Sequence, residues 1–454
     1  MSTGVVRPDP RGGRVGRALA EFLRLEAAGG VVLLVATVVA LVLANSGAAT
    51  WFHDLWTTEV GIRVGSFAFV HPLEFWVNDG LMTIFFFVVG MEIKQELVVG
   101  ELREPRKAAL PVIAAVGGMV VPALLYLAVT AGGPGAHRWG IPMATDIAFA
   151  VGVLALLHRR VPPPLRLFLL TLAIVDDVGG IVVIAVVYSS GIRGVFLALA
   201  VGGVALAYVL RRLGVPWISA YVVIGVGVWY CTFRAGIHPT IAGATMGLLA
   251  PAVPLKDHVP IPEFTPGRAS VDRRISESLA ASRFARESIP VTALLGDALH
   301  PFSSFVVVPL FALANAGVHL GGDLGSLVSD PVAVGIVLGL VVGKPLGIVL
   351  ATEVALRTRL ADLPDGVGRR HVLAVGAVAG IGFTVALFVT ALAFTGAGSV
   401  DAAKIGVLLA SLLAAVLGSV LLVRLPVIHS VPDDDGDDVR YGPQDADVDP
   451  TDDD

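Results

Sequence analysis

Charge is what this sequence has least of. Only 15% of its 454 residues are Asp, Glu, Lys or Arg, against about a quarter in soluble domains, while 55% are hydrophobic. That supply cannot cover a water-exposed surface of this size, which excludes an ordinary soluble enzyme. Cysteine is almost missing too. Cys231 stands alone, so no internal disulfide can form and no Cys/His metal cluster is available; it reads as a small buried apolar residue. A cleavage signal is also lacking after the basic N-terminus (Arg7, Arg11, Arg14, Arg17), so the run Ala27 to Ala44 reads as a retained helix rather than a signal peptide.

What is present is apolar length. Runs of about 17 to 25 residues recur, each long enough to cross a hydrocarbon core of roughly 30 Å as a helix. A barrel would need shorter, alternating segments. Breaks at basic or Gly/Pro-rich stretches place twelve spans near 27–45, 73–98, 108–130, 135–157, 165–188, 195–210, 217–233, 236–251, 299–318, 332–353, 371–395 and 402–424. Sorting the 32 basic residues onto alternate sides puts 26 on one side and 5 on the other, with Lys344 inside a span. By the positive-inside rule both termini are cytoplasmic.

The organisation is then a cytoplasmic segment 1–26, a transmembrane domain 27–426 and an acidic tail 431–454. The tail holds eleven Asp and one Arg and is too self-repelling to pack, and without it the net charge of -5 becomes +5. Two connections have content of their own. The outer segment TTEVGIRVGSFAFVHP (57–72) alternates in character and reads as a β-hairpin or a solvated loop; an exposed hairpin edge could pair with a second subunit. The inner segment 256–298 contains VDRRISESLAASRFARES, patterned as a basic amphipathic helix on the membrane surface.

Against this background four charges stand out within spans: Asp146, Asp176, Asp177 and Lys344. An ionisable group at membrane depth costs several kcal/mol, so it faces protein or water and has a task. A structural Asp–Lys pair explains two of them. Three carboxylates against one ammonium leave a negative surplus that invites a cation or protons. Asp176 and Asp177, in TLAIVDDVGGIVVIA, point about 100° apart on a helix and can flank one crevice, one toward an ion and one toward Lys344. Oxygen ligands without Cys or His suit a hard cation, and so few of them suit Na⁺ or Li⁺ better than a tightly held divalent ion. Proton and cation would compete for the same oxygens.

Two spans are also built to break. GIPMATDIAFAVGVLALL carries Pro142, Thr145 and Asp146 mid-span, and AVGAVAGIGFTVALFVTALAF carries Gly376, Gly380 and Gly382 with Thr384 beyond. Paired interruptions in two halves point to an inverted repeat with the ion site between them; the glycines alone would equally permit close helix packing. His238, in GIHPTIAG, reads as a capping residue or a pH-linked one. Glu92 and Glu96, at i, i+4 around Lys94, read as a solvated helix end or as a cytoplasmic funnel for cations.

These stretches, with NDGLMTIFFFVVGMEIKQEL, LFALANAGV, GKPLGI and GIGFTVALF, run in order along most of the chain and resemble the NhaA-type sodium/proton antiporters. The resemblance implies an all-α polytopic membrane protein of about twelve transmembrane helices, with an inverted repeat and interrupted crossing helices. It implies electrogenic exchange of cytoplasmic Na⁺ or Li⁺ for external protons, activated as cytoplasmic pH rises, in a bacterial inner membrane. Asp177 would be the principal ion ligand and Asp176 the second essential carboxylate, paired with Lys344 when sodium is absent. Asp146 and Thr145 would belong to the unwound crossing, Glu92, Glu96 and His238 to the pH response, and the outer hairpin to a homodimer contact. No cofactor and no nucleic-acid partner is implied. The chain departs from the family pattern in its longer 256–298 segment, its acidic tail, and Asp297 before His300. An intramembrane aspartyl protease is disfavoured because no GxGD stretch occurs. A sodium-coupled symporter of an organic solute would need more polar groups beside the ion ligands than Thr and Gly provide.

Overall fold

The computed structural model describes residues 26–425 apart from 134, 158–159, 190, 216, 253–290, 320–328, 365 and 395–399. The N-terminal segment up to residue 25, the amphipathic stretch of the inner connection and the acidic tail lie outside the described residues. Each of the twelve apolar runs contains a helix. In chain order these are α1 (Glu26–Ala44), α2 (Ala49–Thr57), the hairpin β1 (Glu59–Val64) and β2 (Phe67–Pro72), α3 (Met82–Val98), α4 (Pro105–Val129), α5 (Ile147–Leu156) and α6 (Pro163–Val187). There follow α7 (Gly194–Arg212), α8 (Ile218–Arg234), α9 (Thr240–Leu249), α10 (Val291–Phe302), α11 (Val308–Asn315), α12 (Pro331–Leu338), α13 (Lys344–Arg357), α14 (Arg369–Ala379), α15 (Phe383–Ala393) and α16 (Val400–Val423). By length and composition, seven described helical stretches can cross a bilayer alone, or up to nine if two sharply bent helix pairs each count as one span.

Several features differ from the apolar-run reading. The chain turns through 113° after α1 into the short helix α2, whose apolar content is too brief to register as a run. There Phe52 is buried while its neighbour Trp51 is exposed, the mark of a helix lying on a surface. Helix α10 begins at Val291, so the inner connection ends before residue 298: VTALL already follows helical spacing, and the Thr292 N–H is tied to the Pro251 carbonyl at 3.1 Å. Cys231 is half-buried beside the small cluster of Ala200 and Val228 rather than fully enclosed.

Small residues set the helix contacts, as expected where lipid removes the hydrophobic drive between helices. Gly117 on α4 and Gly347 on α13 meet backbone to backbone, so a Cβ on either would run into the other's carbonyl oxygen. Outside the bundle, β1 and β2 pair antiparallel with Glu59 opposite Pro72 and Val64 opposite Phe67. Gly65 closes the turn at φ +57, a left-handed conformation that suits glycine. Phe69 anchors the hairpin, with its ring 5.5 to 6.0 Å from those of Phe75, Trp76, Trp229 and Phe233, and Trp76 Nε1 donates to the Val60 carbonyl at 2.8 Å.

Candidate ion-binding site

The first interrupted span starts as the 3₁₀ turn Ile141–Met143, is extended at Ala144 and Asp146, and resumes as α5. The second runs as α14, breaks at residues 380–382 and resumes as α15 with a 48° bend. Unwound backbone within a membrane needs substitute partners, and the two breaks supply them to one another. The Asp146 N–H donates to the Ile381 carbonyl at 2.7 Å, and Thr145 Oγ1 donates to the Ala379 carbonyl at 2.9 Å. One Asp146 carboxylate oxygen accepts the Phe149 N–H at 3.0 Å, capping α5. The other accepts the Thr384 N–H at 3.0 Å and the Thr384 hydroxyl. Ser411 on α16, a residue with no sequence signal, accepts the Phe383 N–H at 3.0 Å and so caps α15.

The DD pair lies in mid-helix on α6, with Asp176 2% and Asp177 5% exposed. Lys344, wholly buried, opens α13 directly after a π-helical turn, Gly339–Gly343. Such a turn adds a residue to the helical register and re-aims the side chains beyond it, and it recurs at functional positions. The Lys344 ammonium lies 2.6 Å from Asp176 Oδ2 and also donates to the Met143 carbonyl, at the carbonyl end of the short turn, where the helix dipole is negative. One oxygen of Asp176, Oδ1, is buried with no hydrogen-bond partner among the described residues.

Asp177 is the contrasting member. Its carboxylate makes no hydrogen bond or ion pair among the described residues, although Asp176, Glu92, Asp146 and Lys344 all lie within electrostatic reach. Among the described residues no three His, Cys, Asp or Glu side chains close into a metal cage. The arrangement is therefore a loose group of buried carboxylates, one neutralised and one free, beside helix termini that offer carbonyls and hydroxyls. It can take up a weakly held cation or protons, and it lacks the rigid geometry of a structural metal centre.

The remaining residues singled out in the sequence make no bond to the Asp176–Lys344 pair among the described residues, although Glu92 lies within electrostatic reach of Asp177. Glu92 is half-buried toward one end of α3, with Oε1 3.8 Å from His300 Nε2. Glu96 accepts the Glu101 N–H at 3.0 Å, tying down the turn after α3. His238, at the N-terminal side of α9, has Nδ1 3.0 Å from Thr240 Oγ1 and Nε2 3.2 Å from Asp79 Oδ1. Asp79 was not singled out. It sits in another π-helical turn, Trp76–Leu81, with a side chain only 15% exposed, and its carbonyl accepts Trp229 Nε1 at 2.9 Å. A carboxylate at the edge of the run NDGLMTIFFFVVG was the available signal, masked by its polar neighbour Asn78, which bonds Asn315 across the bundle.

Comparison with known proteins identifies the family. The family described as Na⁺/H⁺ antiporter 1 matches residues 20–422. The chain is 48% identical over 420 residues to the Na(+)/H(+) antiporter NhaA 2 of Myxococcus xanthus, covering 89% of each protein. It is 45% identical to the NhaA of Rhodopirellula baltica, covering 90% of this chain and 94% of that one, and 42% identical to NhaA 3 of Frankia alni, covering 95% and 96%. A solved structure, the sodium proton antiporter MjNhaP1 from Methanocaldococcus jannaschii, overlaps loosely, at 14% identity and a TM-score of 0.48 over 91% of this chain and 98% of that one. With a family match over most of its length, the chain belongs to the Na⁺/H⁺ antiporter 1 family.

Proposed function

We propose that this protein is a secondary active transporter that exchanges cytoplasmic Na⁺ or Li⁺ for external protons across a bacterial inner membrane, with both termini cytoplasmic. The observation that carries the reading is Asp177, buried and without a bonded partner among the described residues, next to an Asp176 already neutralised by Lys344. In the sodium-free state Asp177 holds a proton and Asp176 holds the Lys344 ammonium. A cation entering the crevice takes both carboxylates, displacing the proton from Asp177 and the ammonium from Asp176. Thr145, Asp146 and the carbonyls of the crossing line the approach. Rocking of one half of the bundle then opens the site to the other face, where protons expel the cation. Lys344, parted from Asp176 in a dry interior, also gives up its proton, so two protons leave for each cation that binds and the cycle is electrogenic.

Glu92, with Glu96 and His300 on the same side, lines the approach through which transport is activated as cytoplasmic pH rises, and His238 with Asp79 tunes the opposite side. A homodimer forms through the 57–72 hairpin. What supports it is an edge strand, β1, exposed along its whole length and carrying Val60, Ile62 and Val64. The symporter alternative fits less well, because no further polar cluster able to hold an organic solute lies beside the crossing among the described residues.

The test uses inside-out vesicles with an imposed pH gradient. Added Na⁺ or Li⁺, and not K⁺, collapses the gradient in the wild type and leaves it intact in Asp177→Asn. Full sodium-driven collapse in the variant would remove Asp177 from the exchange site. No collapse in the wild type anywhere between about pH 6 and 9, bracketing the histidine range, would favour a symporter.

A further inference from the structure

One open pocket lies apart from the carboxylates, with none of them in its lining. It lies where the connection from α13 enters α14, on the face proposed as cytoplasmic, and has a volume of about 480 Å³. Its walls are Leu356, Leu363 and Leu425, and its floor is the first turn of α14, Gly368 to His371. That turn is RRH, following a glycine N-cap, so two arginines and the positive end of an eleven-residue helix face the same space.

His371 gives the pocket its chemistry. It is 7% exposed, and its Nδ1 accepts the Gly368 N–H at 3.0 Å. A ring nitrogen that accepts is unprotonated, so the proton of the neutral imidazole resides on Nε2. Nε2 is buried and has no partner among the described residues. A buried donor without an acceptor is unfavourable, and such groups ordinarily have one in the working protein. The neighbouring cations are unequal. Arg369 is bound to Glu353 at 2.9 and 3.2 Å, whereas Arg370 is exposed and has no ion pair among the described residues.

We propose that this pocket binds the phosphate headgroup of an anionic glycerophospholipid. The phosphate accepts from His371 Nε2–H, Arg370 and the free N–H groups at the start of α14. The three leucines take the glycerol and the upper acyl carbons. A free phosphate would leave most of the 480 Å³ pocket unfilled and would lie against leucine. Basic pockets between transmembrane helices on the cytoplasmic side are a recurring way of holding such headgroups. The ligand would act at a distance: α14 is about 16 Å long at 1.5 Å per residue, and its far end supplies the Ala379 carbonyl that holds Thr145. A headgroup at one end of α14 thus steadies half of the crossing. The binding site stands whether or not the exchange reading is correct.

The experiment measures binding and thermal stability of the purified full-length protein in a neutral detergent, titrated separately with phosphatidylglycerol, phosphatidylcholine and inorganic phosphate. Phosphatidylglycerol is expected to bind saturably and raise the melting temperature, and the other two to do neither. Arg370→Gln, an exposed position that leaves folding alone, weakens phosphatidylglycerol binding roughly five-fold, the effect of one basic residue near an anionic surface. His371→Phe removes the donor; should it also unfold the chain by losing the Gly368 contact, Arg370→Gln alone decides. Unchanged affinity in Arg370→Gln, or no binding to the wild type, would overturn the proposal. Equal stabilisation by inorganic phosphate would overturn its lipid part and mark a soluble-anion site instead.

Discussion

Asp176 meets Lys344 at 2.6 Å with both side chains sealed from solvent, whereas Asp79 meets His238 at 3.2 Å with both side chains 15% exposed. The first pair is a hydrogen-bonded ion pair between a carboxylate and an ammonium, and it has a spare carboxylate, Asp177, as its neighbour. The second is a proximity contact in which Asp79 Oδ1 lacks hydrogen-bond alignment, and His238 has a second partner in Thr240. The Asp176 site has more negative groups than it can satisfy, while the Asp79 site has one acid, one base and a hydroxyl. A surplus creates a demand for a cation or proton; a balanced contact only changes strength as its members titrate. On the proposed reading the first site holds cargo and the second modulates it.

Breaking the surplus should have the largest effect. Asp177→Asn removes the carboxyl that trades a proton for a cation and breaks no bond among the described residues, so exchange falls to background at every pH while the melting temperature stays within about 2 °C of wild type, the range of a sub-kcal/mol change. Breaking the pair acts in reverse order, on the fold first. Asp176→Asn leaves a buried ammonium without its partner, and losses of about 3–5 kcal/mol attend such changes. The double variant Asp176→Asn/Lys344→Met removes the stranded ammonium as well and should recover most of that stability in thermal denaturation, yet remain unable to exchange ions. Recovery of transport in the double variant would make the pair structural and leave Asp177 as the whole site.

Next in size is the crossing. Asp146→Ala removes the α5 cap and both bonds to Thr384. The cap is worth about 0.5–2 kcal/mol and each further bond about 1. Thr384→Val, which keeps the backbone bond to Asp146 and loses the hydroxyl, should cost about a third as much. Equal losses in the two variants would show that neither the cap nor the Thr384 backbone bond contributes.

The centre of this site was legible for one physical reason: an ionisable group within an apolar run is conspicuous. Asp146, Asp176, Asp177 and Lys344 announce themselves in this way, and Pro142 with Gly380 and Gly382 marks where helices stop. The partner of Lys344 is not readable from spacing, because residues 100° apart flank the same crevice equally well; the structure brings Asp176 to it, through a π-helical turn at Gly339–Gly343 that no residue pattern betrays. Asp79 escaped because it stands at the rim of its run, where a polar residue looks like a boundary. Helix α2 escaped because nine residues are too few to form a span, and Ser411 because a serine in an apolar helix is usually satisfied by its own backbone, as its bond to the Val407 carbonyl at 2.8 Å also shows.

The smallest expected effect tests the Asp79–His238 contact. His238→Gln keeps a group able to bond Thr240 or Asp79 and removes the ionisable ring. Maximal exchange should therefore stay within about three-fold of wild type, less than 1 kcal/mol in barrier, while the pH dependence of exchange shifts along its axis. Asp79→Asn, which leaves His238 without its acid, should move the profile as well, and combining the two should add little, because both remove the same interaction. A pH profile unchanged in both variants would assign the contact to packing against Phe388, whose ring His238 meets edge-on at 5.3 Å. A loss of exchange as complete as that of Asp177→Asn would erase the distinction between the two regions and make the Asp79 carboxylate part of the path the ion takes.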